Sequence, residues 1–269
     1  MRRGSRGTRN DHSWRHIHGQ FAGSPGGDER TVSKNFALRG WQLPLIHERK
    51  NEMSVEQTLS TIRRVGVIPV IRAQSAQEAL LAAEAMEEGG IPIVEITMTV
   101  PNALEVISKV AAEFSGRVLV GAGTVTNSAE AAECMDAGAE FLVSPGLCVS
   151  VLRTAQAKEK LAIPGALTPS ELMVAFDEGA PAVKIFPCGS VGGAKHIKAL
   201  RGPFPRAALI PTGGVNAGNA AEYFAAGAFA IGVGSELINS SALQAGRKRE
   251  VIEAARELVS IVRAARRPR

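Results

Sequence analysis

A lysine between apolar neighbours in the run AVKIFP, Ala182 to Pro187, is the residue of this 269-residue chain whose type and place most directly imply chemistry. Val183, Ile185 and Phe186 suit a buried strand, where an unpartnered ammonium is so costly that it tends to give up its proton. The neutral amine of Lys184 would then be a nucleophile, able to attack a carbonyl and form a Schiff base. The plainer alternative is a strand-end lysine that carries its head to water. A second charge in apolar surroundings is Glu95, in IVEIT. Alternation puts it on one face with Thr97, opposite Val94 and Ile96. A carboxylate facing the same interior as Lys184 is either a structural ion pair or the proton carrier that imine chemistry requires, and the residues alone leave both open.

Two glycine-rich turns form the next group. PTGGV carries Gly213 and Gly214, and GVGS runs from Gly232 to Ser235. Glycine lets backbone N–H groups approach an anion, and a following helix start adds its dipole, so the pair reads as a phosphate cradle. Tight turns that need a positive φ are the alternative. Other chemistry is excluded by what the body lacks. Four of the five histidines lie before residue 53, which leaves His196 as the only imidazole beyond it. A histidine-ligated zinc site or a Ser-His-Asp triad therefore has too few members. Cys134, Cys148 and Cys188 have neither metal-ligand spacing nor even number, and are expected to be reduced thiols in a cytoplasmic protein.

The elements that must hold these residues recur along the chain. From Ser54 onward a short apolar strand, a turn and an amphipathic helix ending in Gly alternate, with strand ends roughly two dozen residues apart, the length of a strand, a crossover helix and two loops. The strands are VIPVIR to Arg72, IPIVEITM to Met98, RVLVGAG to Gly123, EFLVSPG to Gly146 and LAIPGA to Ala166, followed by AVKIFP, AALIPTGG and FAIGVGS. Eight such units predict a (β/α)8 TIM barrel of the α/β class, with a helix over Ser54 to Arg64 closing its bottom and Lys248 to Arg266 as the last outer helix. An open doubly wound sheet would need a Gly-rich phosphate turn after the first strand, and VIPVIRAQS has none. Function in a barrel sits at the C-terminal strand ends, which here present Arg72, Glu95, Thr97, Thr99, Thr124, Pro145, Thr168, Lys184, Gly213, Gly214 and Ser235.

Residues 1–52 differ sharply in composition and are expected to form a disordered extension ahead of a barrel domain over 53–269, with Met53 as an alternative start. The extension holds ten Lys/Arg against five Asp/Glu, whereas the remainder holds twenty-one of each, so the formal +5 belongs to the extension. The neutral body argues against nucleic acid as a partner, and no apolar run is long enough to span a bilayer. An organelle-targeting peptide is disfavoured by the acidic residues, and a nucleic-acid-binding basic arm remains as a rival.

VEIT with Glu95, GAGTV at Gly121, SPG at Ser144, PGALTPSE at Pro164, VKIFP with Lys184, KALRGPFP at Lys198, PTGGV and GVGS occur in one order. In these motifs the body, Met53 to about Ala265, resembles the class I aldolases of 2-keto-3-deoxy-6-phosphogluconate (KDPG) and 2-keto-4-hydroxyglutarate (KHG), a family that also includes aldolases of the galactonate epimer of KDPG. The resemblance implies that Lys184 forms the Schiff base and Glu95 is the general acid/base. It implies further that Thr124 and Pro145 line a pyruvate site, and that Gly213, Gly214 and Ser235 bind the phosphate of a small keto-acid substrate. It also implies a homotrimer with no cofactor and no metal. One position departs from the pattern: some members carry an arginine four residues beyond the glutamate to hold the substrate carboxylate, and here that residue is Thr99. Arg72, at the end of the neighbouring first strand, is the candidate replacement. A phosphate-binding isomerase barrel in which Lys184 acts only through its charge is the more distant rival.

Overall fold

A computed structural model describes residues 53–267. The extension expected over 1–52 lies outside the described residues.

The first described helix, α1 (Val55–Val65), starts at a capping box in which Gln57 N–H donates to Ser54 Oγ and Ser54 N–H to Gln57 Oε1. It stops at Gly66, whose φ of 80° is readily reached only without a Cβ. Its buried Ile62 packs on Ile68, Ile93, Leu119, Phe141 and Leu161, the inward residues at the N-terminal ends of the strands. The helix thus plugs the bottom of the barrel, as the sequence predicts.

The strands are β1 (Val67–Ile71), β2 (Ile93–Thr97), β3 (Leu119–Gly123), β4 (Phe141–Val143), β5 (Leu161–Ile163), β6 (Gly165–Ala166), β7 (Val183–Ile185), β8 (Leu209–Pro211) and β9 (Ile231–Val233). Between and after them come α2 (Ala76–Glu88), α3 (Ala103–Glu113), α4 (Ser128–Asp136), α5 (Val149–Ala157), α6 (Pro169–Asp177), α7 (Ala194–Arg201), α8 (Ala220–Ala225), α9 (Ser240–Gln244) and α10 (Lys248–Ala265). All pairings are parallel, in the order β5-β4-β3-β2-β1-β9 and β6-β7-β8. These two arcs meet at a single bridge, Thr212 with Gly232, and at Pro164.

At Pro164 the structure departs from the eight-strand reading. LAIPGA, expected as one strand, is broken into β5 and β6, because proline has no N–H to continue the ladder. Its carbonyl is still used: it accepts from Lys184 N–H at 2.9 Å, so the break anchors the strand that bears the lysine.

Side chains alternate between two cores. Val67, Ile71, Val94, Ile96, Val120 and Val183 face outward and pack with the helices, while Ile68, Ile93, Leu119, Phe141, Ile163 and Ile210 fill the lumen. The helices approach closely because they present small residues: a Cβ on Gly89, after α2, would lie 2.4 Å from Ala255 Cβ of α10.

Candidate active site

Strand parity dictates that Lys184 and Glu95 face the lumen, since their neighbours Val183, Ile185, Val94 and Ile96 are all buried against the helices. Lys184 is paired between Gly165 and Ile210, and Glu95 between Val70 and Gly121. Both side chains are 3% exposed, and Lys184 Nζ stands 3.6 Å from Glu95 Oε1. That is ion-pair range but beyond a normal hydrogen bond, and Oε1 accepts none from any described group. The amine also lies 5.3 Å from the centre of the Phe186 ring. Lys184 is therefore no strand-end lysine reaching for water.

The carboxylate is held in place by an absence on the next strand. A Cβ on Gly123 would fall 2.1 Å from Glu95 Oε1 and 2.6 Å from its Cγ and Cδ, so Glu95 lies flat across a position that only glycine can occupy. The same relation recurs around the lumen. Phe141 lies over Gly121, with a would-be Cβ 2.3 Å from the ring, and Thr212 lies over Gly232 at 2.2 Å. The sequence reading named these glycines as strand ends but not as room for their neighbours.

Thr97, also facing inward, is fully buried, and its hydroxyl donates to the Ile71 carbonyl at 2.9 Å. Thr99 Oγ1 lies 2.7 Å from Thr97 Oγ1. Because the single proton of Thr97 is already committed to Ile71, Thr99 must be the donor to Thr97. The chain Thr99 to Thr97 to Ile71 therefore ends on the peptide just before Arg72, and it leaves Thr99 no proton for a substrate carboxylate.

Arg72 itself is exposed, one residue past the end of β1 and on the lumen parity of Ile68 and Val70. Glu78, the carboxylate that could have neutralised it, lies in the first turn of α2 rather than in a loop and is engaged elsewhere, accepting from Gln74 N–H at 3.2 Å and from Gln244 Nε2 at 3.1 Å. Burial pushes the Glu78 carboxyl up, but hydrogen bonds from Ser240, Gln244 and Gln74 outweigh it and hold the group below its usual range.

Thr124 follows β3 at φ 60°, a left-handed conformation that a β-branched residue adopts only under constraint, at a cost of roughly 1–3 kcal/mol. It is half-buried at the same barrel end. Half-buried Pro145 follows β4, and its carbonyl lies where a Cβ on Gly165 would come within 2.4 Å. Gly213 and Gly214 have φ of 87° and 75°, so the turn after β8 does need glycine for its backbone alone. It is also held firmly: Gly189 N–H donates to Gly213 O at 2.9 Å and Asn219 Nδ2 to Gly214 O at 2.8 Å. Ser235 is exposed in the turn after β9. Thr168 is not spare for chemistry, because it caps α6 in a box with Glu171. The role of His196 could not be read from the sequence: its Nε2 lies 2.9 Å from Leu167 O, joining α7 to the loop after β6.

Among the other described lysines, Lys109, Lys158, Lys160 and Lys248 form ion pairs with carboxylates, and Lys195 and Lys198 are exposed on α7. Buried thiols are poor competitors as nucleophiles, since burial pushes Cys134 up to about 12 and Cys188 up to about 11. A cleft of about 830 Å³ exists at the opposite, plugged end of the barrel, lined by Met53, Gln57 and Lys160. It contains neither member of the buried pair, and chemistry outranks volume in locating the site.

Comparison with known proteins agrees with this geometry. The family model described as aldolase, KDPG and KHG aldolase, matches residues 58–254. The chain is 37% identical over 193 residues to the KHG/KDPG aldolase of Escherichia coli K12, covering 72% of this chain and 90% of that protein. It is 38% identical over 194 residues to the 2-dehydro-3-deoxy-phosphogluconate aldolase of Dickeya dadantii, covering 72% and 91%. Among solved structures, the KDPG aldolase of Legionella pneumophila, with pyruvate captured at low pH as a covalent carbinolamine intermediate, superposes with a TM-score of 0.71 at 32% identity, covering 75% of this chain and 98% of that one.

Proposed function

The chain belongs to the KDPG and KHG aldolase family and is a carbon–carbon lyase, and we propose that it cleaves KDPG reversibly to pyruvate and glyceraldehyde 3-phosphate through a Schiff base on Lys184. The observation that carries this reading is the buried amine 3.6 Å from a carboxylate oxygen that accepts no hydrogen bond.

Lys184 Nζ attacks the C2 ketone as the free amine, and the carbinolamine loses water to give a protonated imine. Glu95 then takes the proton of the C4 hydroxyl as the C3–C4 bond breaks. The bonding pair passes into the imine, leaving an enamine, while C4 departs as the aldehyde of glyceraldehyde 3-phosphate. Glu95, now protonated, returns its proton to C3, and water hydrolyses the imine to release pyruvate and restore the amine. An oxygen that must accept a proton from substrate is one best left without a protein donor, as Oε1 is here.

In this reading Arg72 holds the substrate carboxylate, Thr124 and Pro145 wall the pyruvyl carbons, and the turns bearing Gly213, Gly214 and Ser235 take the phosphate. The same steps would run on KHG or on the galactonate epimer, and the glycine turns enter this reading only as the phosphate cradle that the phosphorylated substrates require. Borohydride reduction in the presence of pyruvate, followed by peptide mapping, should place a three-carbon adduct on Lys184 and on no other lysine. An adduct elsewhere, or none, overturns the assignment.

A further inference from the structure

Arginines collect at the end of the barrel remote from Lys184, where the last turns of α1 and α10 meet. Arg266 donates to the Arg64 carbonyl at 3.2 Å and lies over Gly66, where a Cβ would fall 2.6 Å from its Nη1. Three adjoining clefts cross this end. The central one, about 440 Å³, is walled by Arg64, Arg263 and Arg266 around Val65, Pro92 and Val262. It shares Arg263 with a cleft of about 610 Å³ that adds Arg256 and Arg267, and Arg266 with one of about 510 Å³ that adds Arg63 and Arg206.

The only carboxylate lining these clefts among the described residues is Glu88, which is ion-paired with Lys248. Among the described residues none of the arginines just named reaches a carboxylate, although Arg256 donates to a backbone carbonyl and Arg266 also lies against the Phe224 ring. Burial first, and the charge of Arg63 second, push the Arg266 guanidinium down. The near-neutral total of residues 53–269 thus conceals a separation of charge. Like charges gathered without a partner raise the energy of the folded chain, and a multivalent anion would remove that cost.

The donors specify the anion. Guanidinium forks match phosphate oxygens two at a time, and forks along adjoining clefts suit several phosphates in a row better than one carboxylate. Among the described residues the exposed large apolar ones, Met173, Val174 and Val191, lie on α6 and before α7, away from this end. The Phe224 ring is covered by Arg266, so it is not free to stack a base. We propose that this groove is a second anion site, separate from the aldolase centre, that binds a compact polyphosphate such as the di- or triphosphate group of a small metabolite.

Inorganic tripolyphosphate is the probe, titrated calorimetrically into the full chain carrying Gly214→Asp, so that the turn after β8 does not contribute. One-to-one binding is expected, weakening with added salt and accompanied by a rise in Tm beyond that in sodium chloride of equal ionic strength. Arg64→Ala with Arg263→Ala, both exposed positions, should weaken it by at least about tenfold. The same pair in the otherwise unaltered chain should leave kcat/KM for aldol cleavage unchanged, which also certifies the fold. Absence of binding, or equal affinity in the double variant, overturns the proposal. So does tighter binding of a labelled single-stranded oligonucleotide that tripolyphosphate fails to displace, which would make the groove a nucleic-acid surface.

Discussion

Replacing Gly123 by Ala tests the site through a residue that touches no substrate. The new Cβ would lie 2.1 Å from Glu95 Oε1, whereas carbon and oxygen settle at about 3.4 Å, so the carboxylate must move by more than about 1 Å. A displacement of that size at a reacting group costs on the order of a hundredfold in rate. General acid/base catalysis contributes about 10²–10⁴-fold, so Glu95→Gln sets the floor towards which Gly123→Ala should fall. Overpacking by one methyl costs roughly 1–3 kcal/mol, and at about 2–4 °C per kcal/mol the variant remains folded in the assay. Initial rates of pyruvate release, read through a coupled dehydrogenase, should show kcat down about a hundredfold in Gly123→Ala. Borohydride trapping of Lys184 with pyruvate should persist, because the nucleophile is untouched. Gly123→Ala in a Glu95→Gln background should slow the enzyme no further, since both act through one group. A Gly123→Ala enzyme within a few-fold of the parent kcat would refute the placement of Glu95 as proton carrier, and full additivity in the double variant would refute the route through it.

Arg72→Ala should lower kcat/KM on the order of a hundredfold, the loss of a charge-assisted bond of about 3 kcal/mol, and Thr99→Arg in that background should restore part of it; near-parental kinetics would show that other donors hold the carboxylate. Gly214→Asp should raise KM for KDPG by about tenfold or more while leaving KHG cleavage nearly unchanged, and equal effects on both would reduce the glycines to turn formers. Glu78 has a folded pKa below its unfolded one, so its stabilisation is fully present above the unfolded value of about 4.3 and is lost as pH falls through the folded value. Melting curves of Glu78→Ala and the parent from pH 7 to pH 3 should therefore differ by a constant gap above about pH 5 that narrows below it; a constant gap throughout would mean that hydrogen-bond shape, not charge, matters.

The barrel was legible because its signals are local and repeated: apolar runs, glycine helix stops and strand parity are all periods of a few residues. Parity alone placed Lys184 and Glu95 on the lumen face. Their separation was not legible, because it depends on the curl that brings β2 opposite β7. The break of LAIPGA at Pro164 was not legible from the proline alone, because VIPVI carries Pro69 and still forms the single strand β1. The direction of the Thr99–Thr97–Ile71 hydrogen bonds needed coordinates, because donor roles follow from which oxygen lies next to which carbonyl. The engagement of Glu78 with Gln244 joins residues 166 positions apart, beyond any pattern read along the chain.

The glycines beneath Glu95, Phe141 and Thr212 bear on how such an interior can change over generations. Each large side chain occupies volume that belongs, by backbone position, to the neighbouring strand, so each pair is a single unit of inheritance. A bulkier residue at 121 is admissible only after Phe141 has shrunk, and any side chain at 123 displaces the glutamate before it does anything else. Evolution of a new specificity is thereby steered away from the lumen wall and towards the loops, and the carboxylate-binding role proposed for Arg72 in place of position 99 would be one such relocation of charge from one strand end to the next.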